Sequence, residues 1–292
     1  MSPTANLIAS LARERPEWAP WLGVLEAVLQ ETEGTAWAAV VPEHTAVSSG
    51  APRLAGARVV VQRTLVSRLF GTLVRTAARS GTEAMATLEG AVDADPDVLD
   101  LFRASLGHDA DRIAATAAAC DADPDAFQAI VALLPVPFLQ SCNSAWGSTD
   151  AGEWVRSYCP VCGSWPSFAE VRGIERSRYH RCGRCGSEWH AHGLSCPYCA
   201  TTDHRDLVEL LPEQPGSSGS IGACTRCSGY LKTFNRLQAC APIAVLLEDL
   251  KGAALDVAAL EQGYARPARA GYALEIVVSE EPTGRSFLAW HG

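Results

Sequence analysis

Residues 159–199 read CPVCGSWPSFAEVRGIERSRYHRCGRCGSEWHAHGLSCPYC, and residues 224–227 read CTRC. Cysteines fall here in four pairs with two residues between partners: Cys159/Cys162, Cys182/Cys185, Cys196/Cys199 and Cys224/Cys227. That spacing lets the chain turn tightly enough for both sulfurs to face one ion, and two such turns complete a tetrahedral four-sulfur shell. Nineteen residues separate Cys162 from Cys182, ten separate Cys185 from Cys196, and twenty-four separate Cys199 from Cys224. The two longer spacers have room for a β-hairpin joining two turns. This favours a sequential arrangement, with Cys159, Cys162, Cys182 and Cys185 on one ion and Cys196, Cys199, Cys224 and Cys227 on the other. An interleaved arrangement stays open. A four-sulfur shell selects iron or zinc, and the residues do not choose between them. Four protein ligands leave no coordination position for a reacting water, so the centres read as structural or electron-transferring. Metal binding is expected to contribute folding energy, because ribbons of this kind bury little apolar surface by themselves.

Around the cysteines, Phe168–Val171 and Leu207–Leu211 are short β-prone runs. Gly163, Trp165, Gly183, Gly186, Trp189, Tyr198 and Tyr230 suit tight turns with a small packed shell. Pro215–Gly222 reads as a hairpin tip or loop. Residues 1–150 read as helical instead. Trp21, Leu22, Leu25, Val28 and Leu29 recur at helical spacing, as do Val61, Leu65, Leu69 and Leu73. Phe127, Ile130, Val131 and Leu134 mark a third helix, which Pro135 and Pro137 break or kink. Asp93–Pro96 and Asp121–Pro124 look like helix starts. Gly147–Gly152 reads as a linker. After Ala241, a single helix is expected, with Ile243, Leu246, Leu247, Leu250, Ala254 and Val257 on one stripe and Gly263 as its stop. Tyr272–Val278 has the look of a strand, with no assigned neighbour.

The chain has 292 residues, 48% of them hydrophobic and 20% charged, with a net charge of -9. A core of some size is expected and global disorder is not. An acidic chain repels phosphate backbones on average, so nucleic acid is a poor default partner. No uninterrupted apolar run reaches the ~18–20 residues that cross a bilayer, and no export leader stands at the N-terminus. A cytoplasmic protein is expected, in which paired cysteines bind metal rather than form disulfides. Cys120, Cys142 and Cys240 read as buried core thiols. His180, His190 and His192 read as solvent-facing strand residues, with an outer-shell role at the metal as the alternative. His44, His108, His204 and His291 show no pattern. No phosphate-binding loop, dinucleotide fingerprint, HExxH or GxSxG is present.

The segments CPVCGSWP (159–166), RYHRCGRCGSEWH (178–190), LSCPYC (194–199) and CTRCSGYLKTF (224–234) resemble the formate dehydrogenase accessory protein family FdhE. APIAVLLEDLKGAALDVAALEQGY (241–264) is similar to the family's C-terminal helix, and ERPEWAPWLGVLEAV to its N-terminal one, so the likeness runs over roughly residues 10 to 266. The resemblance implies an α+β chain: a helical domain over 1–150, a first rubredoxin-like metal module over 151–192, a second over 193–240, and a C-terminal helix and tail over 241–292. It implies a non-enzymatic cytoplasmic assembly factor, needed for active respiratory formate dehydrogenase. Its implied partner is the molybdenum-containing catalytic subunit before export, with that subunit's twin-arginine signal peptide as a further contact. It implies iron or zinc at the eight paired cysteines. The chain departs from the family in having Gly193 where a basic residue usually precedes the third pair, and in its tail beyond Pro267.

Two other functions fit parts of the sequence. Arg172, Arg176, Arg178, Arg181 and Arg184 with Trp165 and Trp189 suggest a nucleic-acid-binding zinc ribbon. Glu170, Glu175 and Glu188 intersperse those charges and weigh against it. A rubredoxin-like redox protein is the other, though it leaves the helical half without a task.

Overall fold

A computed structural model describes residues 3–43, 50–79, 82–147, 154–211 and 219–281. Helices α1 (Pro3–Glu14), α2 (Ala19–Glu33), α3 (Arg63–Ala78), α4 (Glu83–Ala86), α5 (Glu89–Asp93), α6 (Val98–Gly107), α7 (Ala110–Ala119), α8 (Pro124–Val131) and α9 (Val136–Trp146) form the first half. Leu22, Leu25, Val28 and Leu29 of α2 face Leu69, Leu73, Phe127 and Phe138 across one apolar core. Each side chain buried this way contributes about 1.5–3 kcal/mol. Asp97, Asp109 and Asp123 cap α6, α7 and α8 by accepting hydrogen bonds from first-turn N–H groups.

Several helix limits differ from the sequence reading. Val61 lies in a strand, β1 (Arg58–Val61), and the helix carrying Leu69 and Leu73 begins only at Arg63. The four-residue spacing was ambiguous there, because β-branched Val59 and Val61 bury alternate side chains as a strand does. Asp121–Pro124 does start a helix, with Asp123 as the cap. Asp93–Pro96 instead closes α5, and the next cap is Asp97, one residue beyond the proline. Pro135 and Pro137 separate α8 from α9 as expected, since proline fits a helix's first turn but not its interior. Taken together, Pro124–Trp146 is long and apolar enough to cross a membrane, though 72% of its most apolar window is buried in the fold. The expectation of no spanning run counted unbroken apolar residues, whereas here polar residues interrupt a helix pair of high mean hydropathy. Of the expected 147–152 linker, residues 148–152 lie outside the described residues.

The cysteine region builds one six-stranded sheet from β2 (Phe168–Arg172), β3 (Ser177–Arg181), β4 (Glu188–His190), β5 (Leu207–Leu210), β6 (Gly219–Cys224) and β7 (Tyr230–Arg236), in the order β4-β3-β2-β7-β6-β5. Neighbours pair antiparallel except β2 and β7, which run parallel with Phe168 opposite Lys232. The expected hairpins between cysteine pairs are β2–β3 and β5–β6. Residues 219–222, read as loop, belong to β6; residues 215–218 lie outside the described residues.

One face of this sheet is covered by α10 (Val245–Lys251) and α11 (Ala253–Glu261), whose Val245, Leu255 and Ala259 pack on Phe168, Ile221, Tyr230 and Phe234. The sequence predicted a single helix here. The chain breaks at Gly252, where a Cβ would lie 2.8 Å from Phe234 Cζ, so the backbone can press against β7 only without a side chain. Lys232, fully buried beneath the break, donates to the Asp249 carbonyl at 2.6 Å and lies 2.7 Å from Asp249 Oδ1 and 2.8 Å from Asp256 Oδ2. This places the cation at the C-terminal end of α10, where helix carbonyls favour positive charge.

Beyond α11 the chain becomes a strap. Ala265 N–H donates to the Ser228 carbonyl and Tyr272 N–H to the Gly163 carbonyl. The last described strand, β8 (Val277–Glu280), pairs in parallel with β1. Of the apolar run from Tyr272 to Val278, therefore, only Val277 and Val278 are strand. Residues 282–292 lie outside the described residues.

Candidate metal centres

The fold brings the eight paired cysteines together in the sequential arrangement. The sulfurs of Cys159, Cys162, Cys182 and Cys185 lie within 4.8 Å of one another, and so do those of Cys196, Cys199, Cys224 and Cys227. At the first centre Cys159 and Cys185 are 3.4 Å apart, Cys162 and Cys182 3.5 Å, and Cys162 and Cys185 4.0 Å. At the second, Cys196 and Cys227 are 3.6 Å apart and Cys199 and Cys224 3.7 Å. A tetrahedral ion with metal–sulfur bonds near 2.3 Å sets its sulfurs about 3.8 Å apart. A disulfide needs about 2.05 Å. The donor set and its spacing therefore fit one four-coordinate ion in each centre.

The same local design makes each turn. Cys159, Cys182, Cys196 and Cys224 N–H groups donate to the carbonyls of Ser164, Ser187, Thr201 and Gly229, each five residues on. The residue after the second cysteine always takes positive φ: Gly163 at 73°, Gly186 at 72°, Ala200 at 58° and Ser228 at 53°. The first centre uses glycine because its turns are also crowded. A Cβ on Gly186 would lie 2.6 Å from the Pro242 carbonyl oxygen, and one on Gly163 2.9 Å from Tyr272 Cβ. The second centre places side chains at this strained position. Ser228→Gly is expected to stabilise the chain by about 0.5–1 kcal/mol, a rise of roughly 1–4 °C in melting temperature. Gly186→Ala should destabilise it, and thermal melts of the two variants read both signs.

The centres differ in their surroundings. All four cysteines of the first are fully buried and belong to the same apolar core as the helices. Arg53 and Leu54 N–H groups donate to Pro160 and Val161 carbonyls inside its first turn. Arg184, inside its second turn, reaches the C-terminal end of α6 and donates to the Ser105 carbonyl at 2.6 Å. Its Nη1 lies 2.6 Å from His108 Nε2, which is 2.9 Å from Ser164 Oγ, itself 3.3 Å from Cys162 Sγ. Guanidinium nitrogens only donate, so His108 carries its proton on Nδ1. Burial, reinforced by the Arg184 charge, pulls the His108 pKa down to about 3 and keeps it neutral. His108 has the role the sequence offered to other histidines. It is 56 residues from Ser164 in the chain, and no local pattern marks it.

At the second centre Cys227 is exposed and Cys199 half-buried. These two sulfurs open onto a cavity of about 400 Å³ bounded by Trp165, Tyr198 and Arg266. Tyr198 stacks edge-on against Trp165 at 5.3 Å and donates to the Tyr230 carbonyl at 2.8 Å, linking the two centres.

The remaining candidates resolve as follows. Cys120 and Cys142 are core thiols, and burial drives both pKa values upward. Cys240 is half-buried, its thiol pushed up to about 12 by burial. His180 corrects the sequence reading: it is 7% exposed and packs edge-on against Trp189 rather than facing solvent. His190 is half-buried and its neighbour His192, 4.8 Å away, is exposed, as is His204. His44 and His291 lie outside the described residues. Most of the arginine cluster is engaged within the protein. Arg172 and Arg181 both pair with Glu170 and Glu188, and Arg184 holds α6. Trp189 is buried. Those groups are not free to stack on or pair with nucleic acid.

Residues 158–192, the first centre with its hairpin and third strand, match the family described as FdhE, central domain. The chain is 32% identical over 113 residues to Protein FdhE of Escherichia coli O127:H6, covering 38% of this chain and 36% of that one. It is 31% identical over 114 residues to Protein FdhE of Salmonella choleraesuis, again covering 38% and 36%. The matched region thus spans little more than a third of these relatives. The crystal structure of the FdhE protein from Pseudomonas aeruginosa superposes over 93% of this chain and 94% of its own, with a TM-score of 0.56 at 21% identity, a likeness of fold. Residues 158–192 thus match the FdhE central domain, and the chain is similar to FdhE proteins in sequence over little more than a third of its length and in fold over nearly all of it.

Proposed function

We propose that this chain is a non-enzymatic accessory factor for the formation of active formate dehydrogenase. It works in the cytoplasm and binds the catalytic subunit before export, with the twin-arginine signal peptide as part of the contact. The observation that carries this reading is the coincidence of the FdhE central domain with a four-cysteine centre buried in the helical core. Cys159, Cys162, Cys182 and Cys185 hold one ion, and Cys196, Cys199, Cys224 and Cys227 hold a second, as iron or zinc. Iron would supply a one-electron couple, and zinc would supply structure alone. The division into a helical domain (1–150), two metal modules (151–192 and 193–240) and a closing segment (241–292) describes how this body is assembled. A saturated four-sulfur shell offers no position for a reacting water, in keeping with a scaffold that recognises a client. The net charge of -9 favours encounter with a basic signal peptide.

The test is formate-dependent dye reduction in cells lacking this gene, with and without its restoration. Activity that disappears and returns supports the reading, and capture of the catalytic subunit follows from it. Unchanged activity in cells that make a formate dehydrogenase contradicts it. An exposed Cys227 beside half-buried Cys199 favours a second reading for the second centre only, as a redox or thiol-exchange site. A reversible visible chromophore that responds to Cys227→Ser and not to Cys142→Ser would support that assignment.

A further inference from the structure

Among the described residues, α10 and α11 cover one face of the six-stranded sheet. Its other face carries Arg178, Thr233, Ser220 and Glu209 as the floor of a cavity of about 620 Å³, within the usual range for small-ligand sites. Side chains alternate along each strand, and the register sets Thr233 opposite Ser220 and Gly222 opposite Glu209, which puts these groups on the face away from α10 and α11.

Arg178 lies flat across this floor. Its Nη2 donates to Thr233 Oγ1 on β7 at 2.6 Å and sits 3.7 Å from the position a Cβ would take on Gly222 of β6. No other hydrogen bond holds the guanidinium among the described residues, and its Nε is sealed from solvent without a partner. No described carboxylate lies within 4.0 Å of it, in contrast to Arg172, Arg181 and Arg236 on the same sheet. Glu209 is the one acid among the described lining residues; it accepts from Ser220 Oγ at 2.7 Å, while Arg156 and Arg176 add positive charge to the wall. A second orphan lines the cavity: His180 is 7% exposed, and its Nδ1 has no partner. Burying a cation with no paired counter-charge is costly, and burial lowers the Arg178 pKa against the opposing pull of the Glu209 charge, which lies beyond ion-pair distance. The excess of arginine over acid runs against the sign of the whole chain, so general surface charge does not explain it.

We propose that this open sheet face is a binding site for a small ligand bearing a compact oxyanion, a carboxylate or a phosphate, with Arg178 as its charged anchor. The planar guanidinium suits either group, because both present paired oxygens to parallel N–H donors. The Thr233 hydroxyl, which accepts from Arg178, keeps its own proton to donate beside it, and Glu209, which holds the Ser220 hydroxyl, favours a ligand with a donor at its other end.

The experiment is calorimetric titration of the full metal-loaded chain with inorganic phosphate and with malonate, each against sodium chloride of equal ionic strength. Saturable binding of either probe is expected, and the one that binds identifies the source of the oxyanion. Arg178→Gln should weaken it at least tenfold, whereas Arg205→Gln, at an exposed pair with Asp203, should leave it unchanged. Protection in the unsubstituted chain stands apart from whether the variant folds: the binding probe should slow phenylglyoxal modification of Arg178, mapped by mass spectrometry. Binding of neither probe, equal binding by Arg178→Gln, or no protection of Arg178 would overturn the proposal.

Discussion

Cys182→Ser is expected to unfold the helical half of the protein along with the first metal centre. Its sulfur is fully buried and shares one apolar core with α2, α3, α6 and α9, so the centre cannot open without exposing helix side chains. A four-sulfur site contributes an apparent ~10–16 kcal/mol of folding energy in small metal domains, comparable to the ~5–15 kcal/mol that stabilises a whole protein. Losing one ligand should lower the melting temperature by roughly 10 °C or more, at about 2–4 °C per kcal/mol. Cys227→Ser removes an exposed ligand from a centre held by β5–β6 and the strap. It should lower the helical melt by less than about 5 °C. Circular dichroism melts of both variants decide this, and equal losses would contradict the account of one buried centre and one peripheral one.

Glu170→Ala is expected to destabilise the chain by about 3–5 kcal/mol, because it removes the one fully buried carboxylate shared by Arg172, Arg181 and Arg236, leaving them only the less buried Glu188 and Glu248. Glu170 is fully buried in β2, where the sheet changes from antiparallel to parallel pairing. One oxygen lies 3.2 Å from Arg181 Nη1 and 3.1 Å from Arg172 Nη2. The other lies 3.2 Å from Arg236 Nε and accepts from the Cys240 N–H. The residue therefore ties β3, β7 and the chain leading into α10 to one point. Arg205→Ala, at an exposed pair, should change stability by less than about 1 kcal/mol. Chemical denaturation of the two variants gives the comparison, and similar midpoints would remove Glu170 from this role.

The cysteine spacing made the centres legible because metal geometry acts locally: two residues between ligands fix each turn, and the spacer lengths allow the hairpins that join them. The resemblance to FdhE rested on the same segments together with two helical ones, at 241–264 and near the N-terminus. Other features depend on contacts distant in sequence. The parallel β2–β7 pairing that fuses both centres into one sheet joins strands with no shared local signal. β1 was hidden in a run with helical spacing, and it is a strand because β8 arrives from the far end of the chain to pair with it. The helical stripe after Ala241 ran through Gly252 without a break; the approach of Phe234 makes one there. His108 carries no motif, and only the αL turn ending α6 delivers it to Ser164 and Arg184.

The central claim is that the eight paired cysteines hold two ions in sequential fours. Native mass spectrometry with elemental analysis should find two ions in the unsubstituted chain, two in Cys142→Ser, and one in Cys224→Ser. Equal metal content in all three proteins, or loss of both ions from Cys142→Ser, would contradict it.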